Sequence, residues 1–191
     1  MAALRVLIAD DDPIIRLDLK QMLSNLGYEV VGEAGDGDAA VDLARRLTPD
    51  VCVLDVKMPI RDGISAVREI VGEQISPAIL LTAYNDRELI ASATEAGAFA
   101  YLVKPFKPSD LPPAIEVSVS RYNQMKDLAE QVSDLQERLE TRKMLDRAKS
   151  VLMQKLGLDE AEAYKRIQKS SMDSRKSMKE IAEAILITES L

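Results

Sequence analysis

Histidine and tryptophan are absent from this chain of 191 residues, cysteine occurs once and phenylalanine twice. Each scarcity removes a class of chemistry. Without histidine there is no phosphohistidine carrier and no Ser-His-Asp relay. One cysteine and no histidine exclude a thiolate–imidazole zinc site. They also exclude an internal disulfide, which suits a reducing compartment. Cys52 lies in the run Val51-Cys52-Val53-Leu54 and reads as a small buried hydrophobe. No apolar run approaches the roughly 20 residues of a membrane-spanning helix, and Met1-Ala2-Ala3-Leu4-Arg5 shows no signal-peptide pattern. The expectation is a cytoplasmic protein without membrane contact. Hydrophobic residues still make up 47% of the chain, so aliphatic side chains must build the core.

Charge is unevenly placed. Residues 1–120 hold 11 basic and 19 acidic side chains, whereas residues 142–191 hold 11 basic and 8 acidic. An acidic front suits a cation site, and a locally basic tail suits a polyanion. Two solvated surfaces would give the same counts.

Five short apolar runs punctuate the front part: Val6–Ala9, Glu29–Gly32, Val51–Leu54, Ala78–Leu81 and Ala100–Val103. Such runs read as strands buried on both faces of a parallel sheet. Helical spacing fills the intervals, as in Ile14, Leu17, Met22, Leu23 and Leu26, closed by Gly27. Five strand–helix units predict an open, doubly wound α/β domain with a five-stranded parallel sheet, whose ligands bind beyond the carboxyl ends of the strands. From about Pro113 no strand pattern remains. Met125, Leu128, Val132, Leu135 and Leu139 repeat at 3-4 spacing, predicting a long linker helix with a short coiled-coil seam. That seam serves either a second copy or packing back on its own chain. Three further helices are expected in a small all-α tail. The first spans about Met144–Leu156 and ends at Gly157. The second is capped by Asp159 with Glu162, and the third follows Asp173-Ser174. The division is then 1–120, 121–141 and 142–191.

The strand ends carry the chemistry. The first run leads into Asp10-Asp11-Asp12-Pro13, the third into Asp55, the fourth into Thr82 and the fifth into Lys104-Pro105. In a parallel sheet these ends share one edge, so carboxylates, a hydroxyl and an ammonium converge. Crowded carboxylates call for a cation, and hard oxygen ligands suit Mg²⁺. A central aspartate beside that metal is a competent nucleophile toward phosphorus. The metal and a lysine would neutralise the transferring phosphoryl oxygens.

Val6–Pro13, Leu54–Pro59 with Asp62-Gly63, Leu81-Thr82-Ala83 and Leu102–Phe106 together resemble the receiver domain of two-component response regulators, over about residues 3–120. The resemblance implies a flavodoxin-like fold in which Asp55 accepts phosphate from a sensor histidine kinase. It implies Mg²⁺ held by Asp11, Asp55 and the Lys57 carbonyl, with Asp10 acting through water. Lys104 would pair with the phosphate, Thr82 would be the switch hydroxyl and Tyr101 the switch aromatic. A cis Lys104-Pro105 bond is implied too, as are Lys57 and Tyr84 flanking the path of the hydrolytic water. Asp12 and Pro13 are expected to start the first helix.

In the tail, Lys165 and Lys169 share a helix face, and Ser170, Ser171 and Ser174 add hydroxyl donors. Tyr164 beside them could stack on an unpaired base. Arg147-Ala148-Lys149 with Leu152-Met153, Gly157, Glu160-Ala161, Ala163-Tyr164, Ser170-Ser171-Met172, Arg175 and Ile181-Ala182 resemble the ANTAR output domain, an RNA-binding module of antitermination regulators. Ser150 stands where many of these domains carry glycine. The resemblance implies binding to small hairpin loops in nascent mRNA. Arg147, Lys149, Tyr164, Lys165, Arg166, Lys169, Arg175 and Lys176 are the candidate contacts. The expected function is a phosphorylation-controlled RNA-binding antiterminator. It would be no enzyme beyond phosphoryl transfer to, and hydrolysis from, its own aspartate. A DNA-binding response regulator and a protein-interaction adaptor are the alternatives. The tail has no compact helix-turn-helix pattern, which weighs against the first.

Overall fold

The computed structural model describes residues 3–83 and 87–189, with side-chain surroundings left aside at 87–90 and 189. Five strands alternate with helices: β1 (Arg5–Ala9), α1 (Pro13–Asn25), β2 (Glu29–Ala34), α2 (Gly37–Leu47), β3 (Val51–Asp55), α3 (Gly63–Gly72), β4 (Ala78–Thr82), α4 (Arg87–Glu95) and β5 (Ala100–Val103). All strand pairs are parallel, in the order β2-β1-β3-β4-β5. The five expected strands are therefore present, in the doubly wound arrangement.

Alternation along the strands builds two aliphatic layers. Leu7, Ala9, Cys52, Leu54 and Leu80 face Ala40, Val41 and Ala44 of α2 and Ala66, Val67 and Ile70 of α3. Val6, Ile8, Val51, Val53, Ile79 and Leu81 face Leu19 and Leu23 of α1 and Leu111 and Ile115 further on. The central strands β3 and β4 are buried throughout, but β2 and β5 form the sheet edges and are only partly covered. Helix ends follow the sequence. Asp12 caps α1 with Pro13 in its first turn, and Gly27 takes φ +86° just beyond it.

α5 (Leu111–Leu156), α6 (Glu160–Ser174) and α7 (Met178–Glu189) complete the chain. The separate helix expected over 144–156 is instead the last part of α5. Nothing between Leu139 and Met144 breaks a helix: Glu140, Thr141, Arg142 and Lys143 include no glycine or proline. The start of the last helix also differs from expectation. Asp173 and Ser174 close α6, and Arg175 takes the left-handed conformation after it. Ser177 then caps α7, its hydroxyl accepting from the Glu180 N–H while Glu180 accepts from the Ser177 N–H. The Asp159–Glu162 capping box of α6 forms as the spacing predicts.

By internal contacts the chain divides into two compact units, 1–126 and 127–191. The second is centred on Ala148, Ile167 and Ala182, with Met144, Leu145, Leu152, Ile181 and Ile185 packed around them. The seam residues of α5 take no part in either core: Leu128 is 62% and Leu135 63% exposed. In the first unit, Tyr122 of α5 packs edge-on against Phe99 and donates its hydroxyl to the Gln74 carbonyl at 2.6 Å.

Gly63 shows how tightly α3 approaches β3, because a Cβ there would collide with the Asp55 carbonyl. Gly63→Ala is expected to destabilise the first unit by about 1–3 kcal/mol, as forced overpacking does. Gly72→Ala, with open space around the new methyl, should not. Urea unfolding of both variants checks the contrast.

Candidate functional site

Sheet register assembles the strand-end residues. Ala9 pairs with Leu54, so Asp10 and Asp55 leave adjacent strands side by side. Asp55 pairs with Leu81 and Thr82 with Val103, which brings Thr82 and Lys104 to the same edge. The Lys104 N–H donates to the Thr82 carbonyl at 2.7 Å, and the Lys104-Pro105 bond is cis.

The Lys104 ammonium bridges two carboxylates, at 2.6 Å from Asp10 Oδ2 and 2.5 Å from Asp55 Oδ1. Asp10 is 1% and Asp55 7% exposed, so both charges sit largely out of water. The other Asp10 oxygen accepts the Asp12 N–H at 3.0 Å, and Asp55 Oδ2 accepts the Lys57 N–H at 2.8 Å. Burial pushes the Asp55 carboxyl above its ordinary pKa; Lys104 and the Lys57 N–H pull it down, and Asp10 pushes it further up. Burial works against the Lys104 ammonium, yet hydrogen bonds and charge from Asp10 and Asp55 hold it above the ordinary lysine value.

Thr82 is buried at the end of β4, whereas Tyr101 on β5 is 45% exposed. Asp11 points to solvent and lines an open groove of about 710 Å³ with Lys57, Asp62, Ser65 and Arg68. The fit to a divalent cation follows from this donor set. Asp11 carries an exposed carboxylate that pairs with no cation among the described residues, on the groove wall it shares with Lys57. Hard oxygens beside a solvent-open groove suit Mg²⁺, which retains part of its hydration shell. Among the described residues no three acidic side chains are grouped closely enough to hold a metal ion; Lys104 stands between Asp10 and Asp55, and Asp11 is exposed. Tyr84, the second of the two residues expected to flank the water path, lies outside the described residues.

The structure divides the expected RNA contacts. Arg147, Lys165, Arg166, Lys169, Arg175 and Lys176 are exposed and, among the described residues, in no ion pair. Lys149 is different. It is held by Asp146 at 2.8 Å and Glu160 at 2.7 Å, its side chain only 16% exposed. It ties α5 to the start of α6 rather than projecting a free charge. Tyr164 and Arg166 flank α6 on opposite sides of its buried face. Tyr164 lines a groove of about 650 Å³ with Arg138 and Arg142 of α5, while Arg166 lines a smaller one with Ile181, Ala184 and Thr188 of α7. Arg138 and Arg142 escaped the sequence reading because only the fold brings them beside Tyr164.

Removal of the Asp55 charge tests the electrostatics. A carboxyl whose pKa is raised by folding costs stability once pH rises through the folded value, so at neutral pH ionised Asp55 opposes folding. Asp55→Asn should raise the thermal midpoint by about 2–4 °C at pH 7, since Lys104 keeps Asp10 as partner. Lys104→Met should cost about 3 kcal/mol by stranding two buried carboxylates. Calorimetry of both variants measures the two signs.

Comparisons with known proteins place both parts. A family model described as "Response regulator receiver domain" matches residues 6–116, and one described as "ANTAR domain" matches residues 133–186. The transcriptional regulatory protein PdtaR of Mycobacterium tuberculosis is 53% identical over 184 residues, covering 96% of this chain and 90% of that protein. The chemotaxis protein CheY of Thermotoga maritima is 41% identical over 108 residues, covering 55% of this chain and 88% of that one. Among solved structures, the response regulator domain of Thermotoga maritima CheB aligns with TM-score 0.58 and 28% identity, covering 62% of this chain and 97% of that domain. The chain belongs to the response regulators that join a receiver domain to an ANTAR domain.

Proposed function

We propose that this protein is a phosphorylation-controlled, RNA-binding antiterminator. Residues 1–120 act as its receiver, 121–141 as a connecting helix and 142–191 as its RNA-binding part. The observation that carries the reading is the buried Asp10–Lys104–Asp55 triad at the carboxyl edge of the sheet, joined in one chain to an ANTAR domain.

In this reading an Asp55 carboxylate oxygen attacks the phosphorus of a phosphodonor, in the cell a sensor histidine kinase. The P–N or P–O bond to the donor breaks, and the electron pair leaves with the donor. Asp11, Asp55 and the Lys57 carbonyl would hold Mg²⁺, with Asp10 acting through water. The ion would neutralise charge on the phosphoryl oxygens. Lys104, paired with Asp55, would turn to the phosphoryl oxygens once the carboxylate carries them as an acyl phosphate. Thr82 donates its hydroxyl to the same group, and Tyr101 on β5 takes the place left beside it, as in the family this chain resembles. Hydrolysis returns Asp55 to its free form, so the chain catalyses only its own modification.

The exposed cations of α5, α6 and the α6–α7 turn supply phosphate contacts, and exposed Tyr164 supplies a stacking platform in a groove lined by Arg138 and Arg142 and also by Asp134, Glu137 and Asp146. The exposed seam of α5 is proposed to pair with a second copy. Two heptads are marginal alone, so pairing is weak and concentration dependent. RNA bearing two hairpins would strengthen it through effective concentration.

Incubation with acetyl phosphate and Mg²⁺ should add one phosphoryl group, located by mass spectrometry on the peptide containing Asp55, and none to Asp55→Asn. Crosslinking to total cellular RNA should recover hairpin-containing transcripts. Preferential retention of duplex DNA would favour a DNA-binding regulator, and recovery of no RNA would favour an adaptor. On a recovered hairpin, Lys169→Ala should weaken binding and flatten its salt dependence. Tyr164→Ala should cost about 1–3 kcal/mol and leave the salt slope nearly unchanged. Circular dichroism must show both variants folded.

A further inference from the structure

The loop that follows the phosphoacceptor, Val56–Asp62, is held in a conformation its sequence does not favour. Ile60 has φ +67°, and the Arg61 N–H donates back to the Pro59 carbonyl at 2.7 Å. This is a γ-turn centred on a β-branched residue in the left-handed region, which is rare and strained. Ile60 gains no burial in return, being 81% exposed. Strain of this kind persists only where the surroundings over-determine it, and it clusters at functional sites.

Arg61, the residue closing the turn, is held at both ends. Its carbonyl accepts the N–H of Gly37, the first residue of α2, at 3.1 Å. The two backbones approach so closely that a Cβ on Gly37 would overlap that carbonyl. Its guanidinium bridges Asp38 of α2, at 2.6 Å, and Glu69 of α3. Glu69 is shared with Arg45 of α2 at 2.5 Å, and Arg45 also takes Glu73 at 2.5 Å. Arg45 lies on the surface and ties α2 to α3 whether or not Arg61 is present. Among the described residues, Arg61 is the member of this ion-pair network that lies on the loop beginning at Val56; at its far end the loop is also tied to α3 by the Gly63 N–H, which donates to the Val56 carbonyl at 2.9 Å. At the near end of that loop the Lys57 peptide donates to Asp55 Oδ2.

We propose that Arg61 is a positioning residue for the phosphoacceptor site. Its clasp on α2 fixes the strained loop, which fixes the Lys57 peptide that orients Asp55 by its N–H and offers its carbonyl to the cation. This rests on the phosphoacceptor reading above and adds to it a residue remote from the reacting atoms. Without the clasp the turn at Ile60 relaxes, and the Lys57 peptide loses its fixed orientation. Cation affinity then falls before chemistry does.

The test uses the full chain with Mg²⁺ alone and, separately, Mg²⁺ with acetyl phosphate. Arg61→Gln should weaken Mg²⁺ binding, measured by isothermal titration calorimetry, by about tenfold, the lower end of the loss on removing a group that orients a metal ligand. Its phosphorylation rate should fall at limiting Mg²⁺ and recover to within about twofold of the parent at saturating Mg²⁺. The Lys57 amide resonance should shift in the metal-free protein. Arg61→Lys, which retains one cation between Asp38 and Glu69, should restore part of the Mg²⁺ affinity. Arg45→Gln, which disturbs the α2–α3 pairs but leaves Arg61 its partners, should leave Mg²⁺ affinity unchanged. Should Arg61→Gln fold poorly, Asp38→Asn removes one arm of the clasp and should give a smaller loss in the same direction. Parental Mg²⁺ affinity in folded Arg61→Gln and Asp38→Asn would overturn the proposal, as would an equal loss in Arg45→Gln. If the parent itself neither bound Mg²⁺ nor took phosphate, the phosphoacceptor reading would fall and this inference with it.

Discussion

A single ammonium, Lys104 Nζ, lies within 2.6 Å of two carboxylates that the fold has removed from water. Two buried like charges side by side repel each other and are poorly solvated. The strand ends can converge only because a third strand brings a cation between them. The constraint reaches far into the chain. β1, β3 and β5 must end in register, which requires the crossover helices and both aliphatic layers. The pairing is also unfinished. Burial still pushes Asp55 up despite Lys104, so the site keeps an electrostatic deficit that a divalent cation at Asp11 and Asp55 would relieve. Stability given up at a charged site in this way is a common accompaniment of function.

The same interaction supplies a route for change. Lys104 is tied by its N–H to the Thr82 carbonyl and by its side chain to Asp55. A phosphoryl group on Asp55 would compete for Lys104 and so act on the ends of β4 and β5 together. Tyr101 lies on β5 with nearly half its surface open, so it has room to reorient. Tyr122 near the start of α5 rests against Phe99, just before β5, and bonds to Gln74 after α3. The helix that leaves the receiver is therefore anchored on the half of the sheet where such rearrangement would occur.

Much of this was legible in the sequence because it rests on local rules. Short aliphatic runs ending in Asp10, Asp55, Thr82 and Lys104 specify strands and one shared edge. Asp12, Gly27 and Asp159 mark helix ends by capping chemistry. What was missed depends on contacts between residues distant in sequence, or on rules overlooked. Lys149 reads as a free cation until Glu160 is folded against it. Arg138 reads as a linker charge, and Arg142 as one more basic residue of the tail, until α6 brings Tyr164 beside them. Arg61 has partners 23 residues before it and 8 after it, and no periodicity announces them. The continuity of α5 and the Ser177–Glu180 cap were readable: the first from the lack of any breaker, the second from Ser-x-x-Glu spacing.

The central proposal is that phosphorylation of Asp55 governs the affinity of the tail for RNA. Its most direct measurement is the anisotropy of a labelled hairpin recovered by crosslinking, titrated at one fixed salt concentration with the chain before and after acetyl phosphate treatment. Coupling between two sites of one regulator commonly changes affinity 5–150-fold. The account predicts a change of at least about fivefold in the parent and none in Asp55→Asn. Equal affinity in both states of a fully phosphorylated parent, or an equal response in Asp55→Asn, would contradict it.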